Sequence, residues 1–193
     1  MCGRYQFTAE QCGELQEIVQ EVQCRCGKDT WTPGEIRPSM KAPVLVEREG
    51  MIEADLMRWG FQTQQSLMIN ARSESAEEKP LFRDSVQTCR CAVPASGFYE
   101  WSADKRKYLF RLPDAQPLYM AGIYDQRQDE RCYCILTTEA NESVCGIHSR
   151  MPVVLWREEI RGWLIEPSTF RRMLEKIPLQ LLATAEDNQT SLW

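Results

Sequence analysis

Cys89-Arg-Cys-Ala-Val-Pro-Ala-Ser-Gly-Phe-Tyr-Glu-Trp101 is the stretch that decides the fold. It holds two short strand-like runs, 89–93 and 97–101, separated by a proline- and glycine-bearing turn. Three further runs follow at 107–112, 118–124 and 131–138, divided by turn-rich or charged stretches. Upstream, residues 44–47 and 52–59 flank Glu49-Gly50 and read as a β-hairpin. A final strand is expected near 179–183. Helices fall at the ends of the chain. Thr8 is a suitable N-cap for a helix over about 9–23, whose Leu15, Ile18, Val19 and Val22 recur at core-facing spacing. Two more helices are expected near 157–164 and 168–176, and the polar stretch 73–86 is helical in part, interrupted at Pro80. Many strands with flanking helices predict an α+β fold with a largely antiparallel, barrel-like sheet.

A length of 193 residues fits a single domain over 1–193, and 43% hydrophobic residues suffice for a sizeable core. No apolar run reaches the length of a membrane span. The first residues lack the basic and apolar regions of a signal peptide, so a cytoplasmic location and no membrane partner are expected. The small single-domain size makes a monomer the expected state. A net charge of −5 argues against a protein that coats nucleic acid by bulk charge, though not against one with a local basic groove. Glu10, Glu14, Glu17 and Glu21 recur along the first helix as a solvated face.

Nine cysteines is an odd count, so they cannot all pair. Six form C-x-C pairs: Cys24/Cys26, Cys89/Cys91 and Cys132/Cys134. Zinc sites favour wider spacing and histidine partners, and this chain has one His. The simpler reading is buried thiols acting as small apolar residues, with no metal and no cofactor expected.

Four positions carry chemistry. Cys2 follows Met1, and removal of Met1 would leave a free α-amine beside a thiol. Such groups titrate near pH ~8 and ~8.5, so both have a nucleophilic fraction at neutral pH. A 1,2-aminothiol attacks an aldehyde through nitrogen, giving a Schiff base, and then through sulfur, closing a thiazolidine. Asn70 ends the apolar run Leu67-Met-Ile69, where an amide caps a turn or binds a ligand. Glu100 lies among aromatics in Phe98-Tyr-Glu-Trp101, a setting that raises a carboxyl pKa and suits acid/base work. A glutamate in a strand more often faces solvent, however. His148, the single histidine, precedes Ser149-Arg-Met-Pro152; a lone histidine is more often a surface or satisfied core residue.

Together the blocks Met1-Cys-Gly-Arg4, Ile69-Asn-Ala-Arg72, Gly97-Phe-Tyr-Glu-Trp101 and His148-Ser-Arg-Met-Pro152 resemble the SRAP family. These are the SOS-response-associated peptidase-like proteins, which form DNA–protein crosslinks at abasic sites. The resemblance spans about residues 2–155. It implies that processed Cys2 condenses with the ring-opened aldehyde of an abasic site in single-stranded DNA. Asn70 would hold the α-amine or the sugar. Glu100 would assist proton transfer, and His148 would act on the sugar hydroxyl, including during reversal. Thr137 falls at the position of a supporting threonine. Arg4, Arg72 and Arg150 would hold phosphates, and a nucleoid-associated location would follow when the protein is bound to damaged DNA.

The chain departs from the family in three places. Trp59-Gly60 is followed by Phe61-Gln-Thr-Gln-Gln-Ser66, a shorter polar loop than the aromatic wedge of many relatives, which leaves Trp59 and Phe61 as the aromatics expected to meet DNA. Glu35-Ile-Arg-Pro38 replaces an Asn-containing segment, with Arg37 able to face phosphate. The residue after the histidine, often acidic, is Ser149.

Two other functions remain open on the sequence. Cys, His and Asn also serve cysteine peptidases and N-terminal-nucleophile amidohydrolases, of which self-removal of Met1 would be a minimal form. A metal or redox module built on the C-x-C pairs is the third reading.

Overall fold

The structure is a computed structural model that describes residues 2–10, 12–27, 30–127, 129–166 and 169–186. Strand β1 (Tyr5–Phe7) leads into helix α1 (Gly13–Cys26) and strand β2 (Gly34–Ile36). A long hairpin follows, β3 (Lys41–Arg48) and β4 (Met51–Trp59), and then a short one, β5 (Phe61–Gln62) and β6 (Leu67–Met68). Next come β7 (Asn70–Arg72), helix α2 (Arg83–Thr88), and strands β8 (Arg90–Ala95), β9 (Gly97–Trp101), β10 (Lys107–Arg111), β11 (Leu118–Arg127) and β12 (Glu130–Glu139). The chain continues through β13 (Arg150–Pro152), β14 (Val154–Leu155), helices α3 (Glu159–Ile165) and α4 (Phe170–Leu174), and β15 (Leu182–Glu186).

Five strands close on themselves in the order β12-β4-β3-β8-β11, because β11 pairs back onto β12. This is the barrel expected from the sequence, antiparallel at every step except β12 against β4. Closure removes the open edges that a five-stranded sheet would otherwise expose. A second antiparallel sheet, β15-β10-β9-β1-β2, packs beside it.

The β3–β4 hairpin shows how locally the sequence acts. Arg48 pairs with Met51, so Glu49 and Gly50 form a two-residue loop, and both have positive φ (53° and 82°). That is the turn whose twist matches paired strands. Helix α1 differs from expectation. It starts at Gly13 rather than near residue 9, without a side-chain cap. The Thr8 N–H donates instead to Ser96 Oγ (3.1 Å), tying the segment to the β8–β9 turn. Leu15, Ile18 and Val22 form the buried stripe, and Val19 is half-buried. Strand β15 begins three residues later than expected. Helix α4 lies inside the expected 168–176, of which Ser168 falls outside the described residues.

Trp59 sits at the centre of the core with no exposed surface. It stacks on Tyr133 (centroids 6.3 Å, planes 8° apart), contacts Tyr5 at 5.2 Å, and donates its indole N–H to the Ile69 carbonyl (2.9 Å). Gly60 follows it with φ 114°, and any Cβ there would lie 2.7 Å from Leu67. Cys91, Cys132 and Cys134 are buried and pack as small apolar residues, whereas Cys24 lies on the exposed face of α1.

Arg90 is a buried cation satisfied by backbone alone. It donates to the carbonyls of Val86 (3.2 Å), Gln87 (2.6 Å), Trp163 (2.5 Å) and Leu164 (3.3 Å), and lies over the Phe170 ring at 4.7 Å. These carbonyls belong to the last turns of α2 and α3, where helix dipoles favour positive charge.

Gly97, which opens β9, admits no side chain. A Cβ would lie 2.6 Å from the Phe110 carbonyl oxygen and 2.8 Å from Leu109 Cδ1. The backbone oxygen is fixed by β9–β10 pairing and cannot retreat. Gly97→Ala should lose about 1–3 kcal/mol of stability, the usual cost of overpacking, as read by a denaturant midpoint. An unchanged midpoint would show that β9 and β10 are free to separate.

Candidate active site

The site is assembled around the far half of β12. One edge of β12 pairs first with β4 and then, in parallel, with β7: Asn70 faces Ile135 and Arg72 faces Thr137. Its other edge pairs with β11 and then β13, with Pro152 opposite Thr137 and Arg150 opposite Glu139. Thr137 therefore has the Asn70 block on one side and the His148 block on the other, about one strand spacing (~4.8 Å) away in each direction. The second sheet supplies the remainder. Strand β1 pairs with β9 through Tyr5 and Phe98, and the Tyr99 N–H donates to the Arg4 carbonyl (2.9 Å), which sets Glu100 beside the first residues of the chain.

Cys2 has no exposed surface. Its carbonyl accepts a hydrogen bond from Asn70 Nδ2 (2.8 Å), and its Sγ lies 3.7 Å from the Arg4 carbonyl. The other amide atom of Asn70, Oδ1, is buried without a hydrogen-bond partner among the described residues. Burial pushes the Cys2 thiol far above its ordinary pKa, and the Glu100 charge adds to this. This corrects the sequence expectation of a partly ionised thiol at neutral pH. Position along the chain makes a terminus look solvated, whereas the sheet covers this one. Beneath Cys2, the hydroxyls of Tyr5 and Tyr133 share a 2.7 Å hydrogen bond, and burial raises both pKa values far above the usual.

Glu100 is 3% exposed. Burial raises its carboxyl pKa, and the nearby His148 opposes that rise in part. Glu100 thus acts electrostatically on Cys2 and is itself acted on by His148. His148 is half-buried, and its Nδ1 accepts from the Arg150 N–H (3.0 Å) while lying 3.1 Å from the Arg150 carbonyl. Thr137 is wholly buried, with Oγ1 3.4 Å from the Ala71 carbonyl.

The cations expected to hold phosphate differ among themselves. Arg72 is exposed and makes no ion pair among the described residues. Arg4 (3.3 Å) and Arg37 (2.8 Å) both meet the Glu35 carboxylate, as does Lys107 (3.1 Å). Burial raises the pKa of Glu35, but the hydrogen bonds from Arg37 and Lys107 and the Arg4 charge outweigh it and hold the carboxyl below its usual value. Arg4 also lies over the Trp101 ring at 5.2 Å. Arg150 is held by Glu74 through two hydrogen bonds (2.7 and 2.9 Å). Glu35, Glu74 and Lys107 were not singled out in the sequence. The signal available for Glu74 was its place immediately after the Asn70-Ala-Arg72-Ser73 run.

Trp59 and Phe61 are corrections. Both were expected to meet DNA, and both are wholly buried. Trp59 is used by the aromatic stack in the core. Phe61 packs on Phe82 (6.1 Å) under the Arg127 guanidinium (4.5 Å). What the loop presents instead is polar: Gln62, Gln64, Gln65 and Ser66 are exposed, and the Thr63–Ser66 turn is closed by backbone and hydroxyl hydrogen bonds.

With this geometry in place, comparison with known proteins is informative. The SOS response associated peptidase (SRAP) family matches residues 1–190. The abasic site processing protein YoaM of Bacillus subtilis is 36% identical over 198 residues, covering 93% of this chain and 86% of its own. The abasic site processing protein YedK of Escherichia coli is 27% identical, covering 85% of this chain and 79% of its own. Among solved structures, a protein from Bacteroides thetaiotaomicron superposes with a TM-score of 0.79 at 22% identity, covering 97% of this chain and 93% of its own. One from Bordetella bronchiseptica gives the same TM-score at 23% identity, covering 96% and 100%. At these identities the structures speak for the fold.

Glu100 yields a stability prediction with a definite sign. Its pKa is higher folded than unfolded, so the fold favours the protonated form. That contribution is complete below the unfolded value near ~4.3 and is lost as pH rises from there toward the folded value. Glu100→Gln has no such loss. The melting temperature of the variant minus that of the wild type should therefore rise between about pH 4 and pH 7. A difference that falls over this range would show that Glu100 is stabilised as the anion.

Proposed function

This chain belongs to the SOS response associated peptidase family, and on that premise we propose that it captures abasic sites in single-stranded DNA through the aminothiol of Cys2. The observation that carries the reading is the burial of Cys2, its carbonyl held by Asn70, within electrostatic reach of Glu100, which in turn feels His148. The names of its relatives as abasic site processing proteins support it. We infer with this reading that the chain acts in the response to DNA damage, as a cytoplasmic monomer that becomes nucleoid-associated on damaged DNA.

The geometry suggests an order of steps. Met1, which lies outside the described residues, is first removed. The freed α-amine adds to the aldehyde carbon of the ring-opened sugar, and the carbinolamine loses water to give the Schiff base. The Cys2 sulfur then adds to the same carbon, its proton passes to the nitrogen, and the thiazolidine closes. Nitrogen leads because the buried thiol is held in its protonated form. Glu100, whose raised pKa favours its acid form, donates to the departing hydroxyl and recovers the proton afterwards. Asn70, through the Cys2 carbonyl, aims the amine. His148 exchanges a proton with the sugar hydroxyl in ring opening and in reversal. Arg72 offers the exposed charge for a flanking phosphate, which positions the strand without reading its sequence.

The same burial argues against a thiol peptidase. Cysteine nucleophiles work as thiolates with depressed pKa values, whereas the Cys2 thiol is pushed the other way.

The test is a denaturing gel of Met1-processed protein with single-stranded DNA carrying one abasic site. A slow band is expected for wild type and Cys12→Ala and none for Cys2→Ala; equal bands from both variants would refute the aminothiol role. Glu100→Gln should slow band formation by about 10²-fold or more, the usual contribution of general acid–base catalysis. An unchanged rate constant would remove Glu100 from the mechanism. His148→Ala should impair release of the crosslink at least as much as its formation, and fast release would contradict its assigned part.

A further inference from the structure

Arg150 is tied to two neighbouring elements near the site through its terminal guanidinium nitrogens. Its guanidinium donates to both carboxylate oxygens of Glu74, at 2.7 and 2.9 Å, to the Thr137 carbonyl at 2.6 Å, and lies 3.4 Å from Thr137 Oγ1. A bidentate Arg–carboxylate pair of this geometry fixes orientation as well as distance. Glu74 belongs to the turn that follows β7, and Thr137 belongs to β12. One side chain therefore bolts β13, β12 and the end of β7 together.

The main chain of that same residue holds the catalytic imidazole. His148 Nδ1 lies 3.0 Å from the Arg150 nitrogen and 3.1 Å from the Arg150 oxygen. A neutral ring can accept from the N–H there. A protonated ring can donate to the carbonyl without moving. The same two main-chain atoms of Arg150 therefore suit either form of the ring in one pose. Ser149, which stands between them, is exposed. Orientation of the ring passes to Arg150, the first residue of β13. Elsewhere the preceding turn is held by the hydrogen bonds from His148 N to the Val144 carbonyl (3.0 Å) and from Ala140 N to the Ser149 carbonyl (3.0 Å).

We propose that Glu74 is a positioning residue for His148, acting through Arg150. Its carboxylate pins the guanidinium, the guanidinium pins the start of β13, and the Arg150 main chain fixes the imidazole. The chemical consequence rests on the abasic-site reading, but the placement of the ring does not. Substitution of Glu74 frees the side chain that anchors the turn, and displacement of a proton-transfer group by even ~1 Å is costly to rate.

The chain has a single histidine, so labelling with ¹⁵N-histidine gives one imidazole to observe. In wild type at a pH where the ring is neutral, Nδ1 should show the shift of a hydrogen-bonded acceptor and Nε2 that of a protonated nitrogen. In Glu74→Gln and in Arg150→Lys, which keeps the charge but loses the fork, both shifts should move toward those of free histidine. Glu74→Asp should restore them at least in part. Unchanged ¹⁵N shifts in two folded variants would overturn the proposal. On abasic single-stranded DNA, crosslink formation by Glu74→Gln should slow about tenfold, again with rescue by Glu74→Asp. A wild-type rate in Glu74→Gln would overturn the catalytic part. If wild type itself forms no crosslink, the abasic-site reading fails, and the ¹⁵N shifts still decide whether Glu74 orients His148.

Discussion

The register of β12 is the constraint on which the rest depends. The barrel closes only if one strand accepts partners on both edges, and β12 does so twice along its length, with β4 and β11 in its first half and β7 and β13 in its second. The first half completes the core, where Tyr133 lies against Trp59 and Tyr5. The second half carries Thr137, flanked by the two blocks that bring Asn70 and His148. Side chains alternate faces along a strand, so a slip of one residue would reverse every one of them. It would expose Tyr133 and separate the site in a single move. Core and site are thus specified by the same hydrogen-bond ladder.

Burial then sets the chemistry. Cys2 and Glu100 both lie under the sheets, and both are driven toward their neutral forms. A thiol and a carboxyl each biased toward the protonated form suit the proposed reaction, which is led by an amine and completed by proton exchange. Charges near the site are mostly pre-paired. Glu35 gathers three cations and Glu74 holds one, so an incoming phosphate meets residues whose positions are already fixed. The cost of ordering long side chains is met within the protein before any ligand arrives.

Much of this was legible from the chain itself. Alternating apolar runs gave the strands, Glu49-Gly50 gave the hairpin, and the spacing of Leu15, Ile18 and Val22 gave the buried stripe of α1. Cys2, Asn70, Glu100 and His148 stood out because polar groups interrupt apolar or aromatic sequence. What could not be read was which surface each aromatic faces. Trp59 and Phe61 sit beside a glycine turn, a position that looks exposed, yet the closure of β12 over β4 buries one and contacts with Phe82 and Arg127 bury the other. Ion-pair partners were equally hidden, since Glu74 and Arg150 lie 76 residues apart. Thr8 made a plausible cap, but a tertiary contact to Ser96 took its place.

The nine thiols divide by depth, and that division bears on chemistry outside the proposed reaction. Peroxides attack thiolates far faster than thiols, and they need access. Cys2, Cys91 and Cys134 are buried with their ionisation suppressed, while Cys24 and Cys145 lie in the open. An oxidant therefore meets these two exposed sulfurs first. Sulfenic acid or glutathione adducts would collect at the surface while Cys2 stays reduced, so under the proposed reaction its sulfur would remain usable in oxidative conditions that inactivate enzymes built on an exposed thiolate.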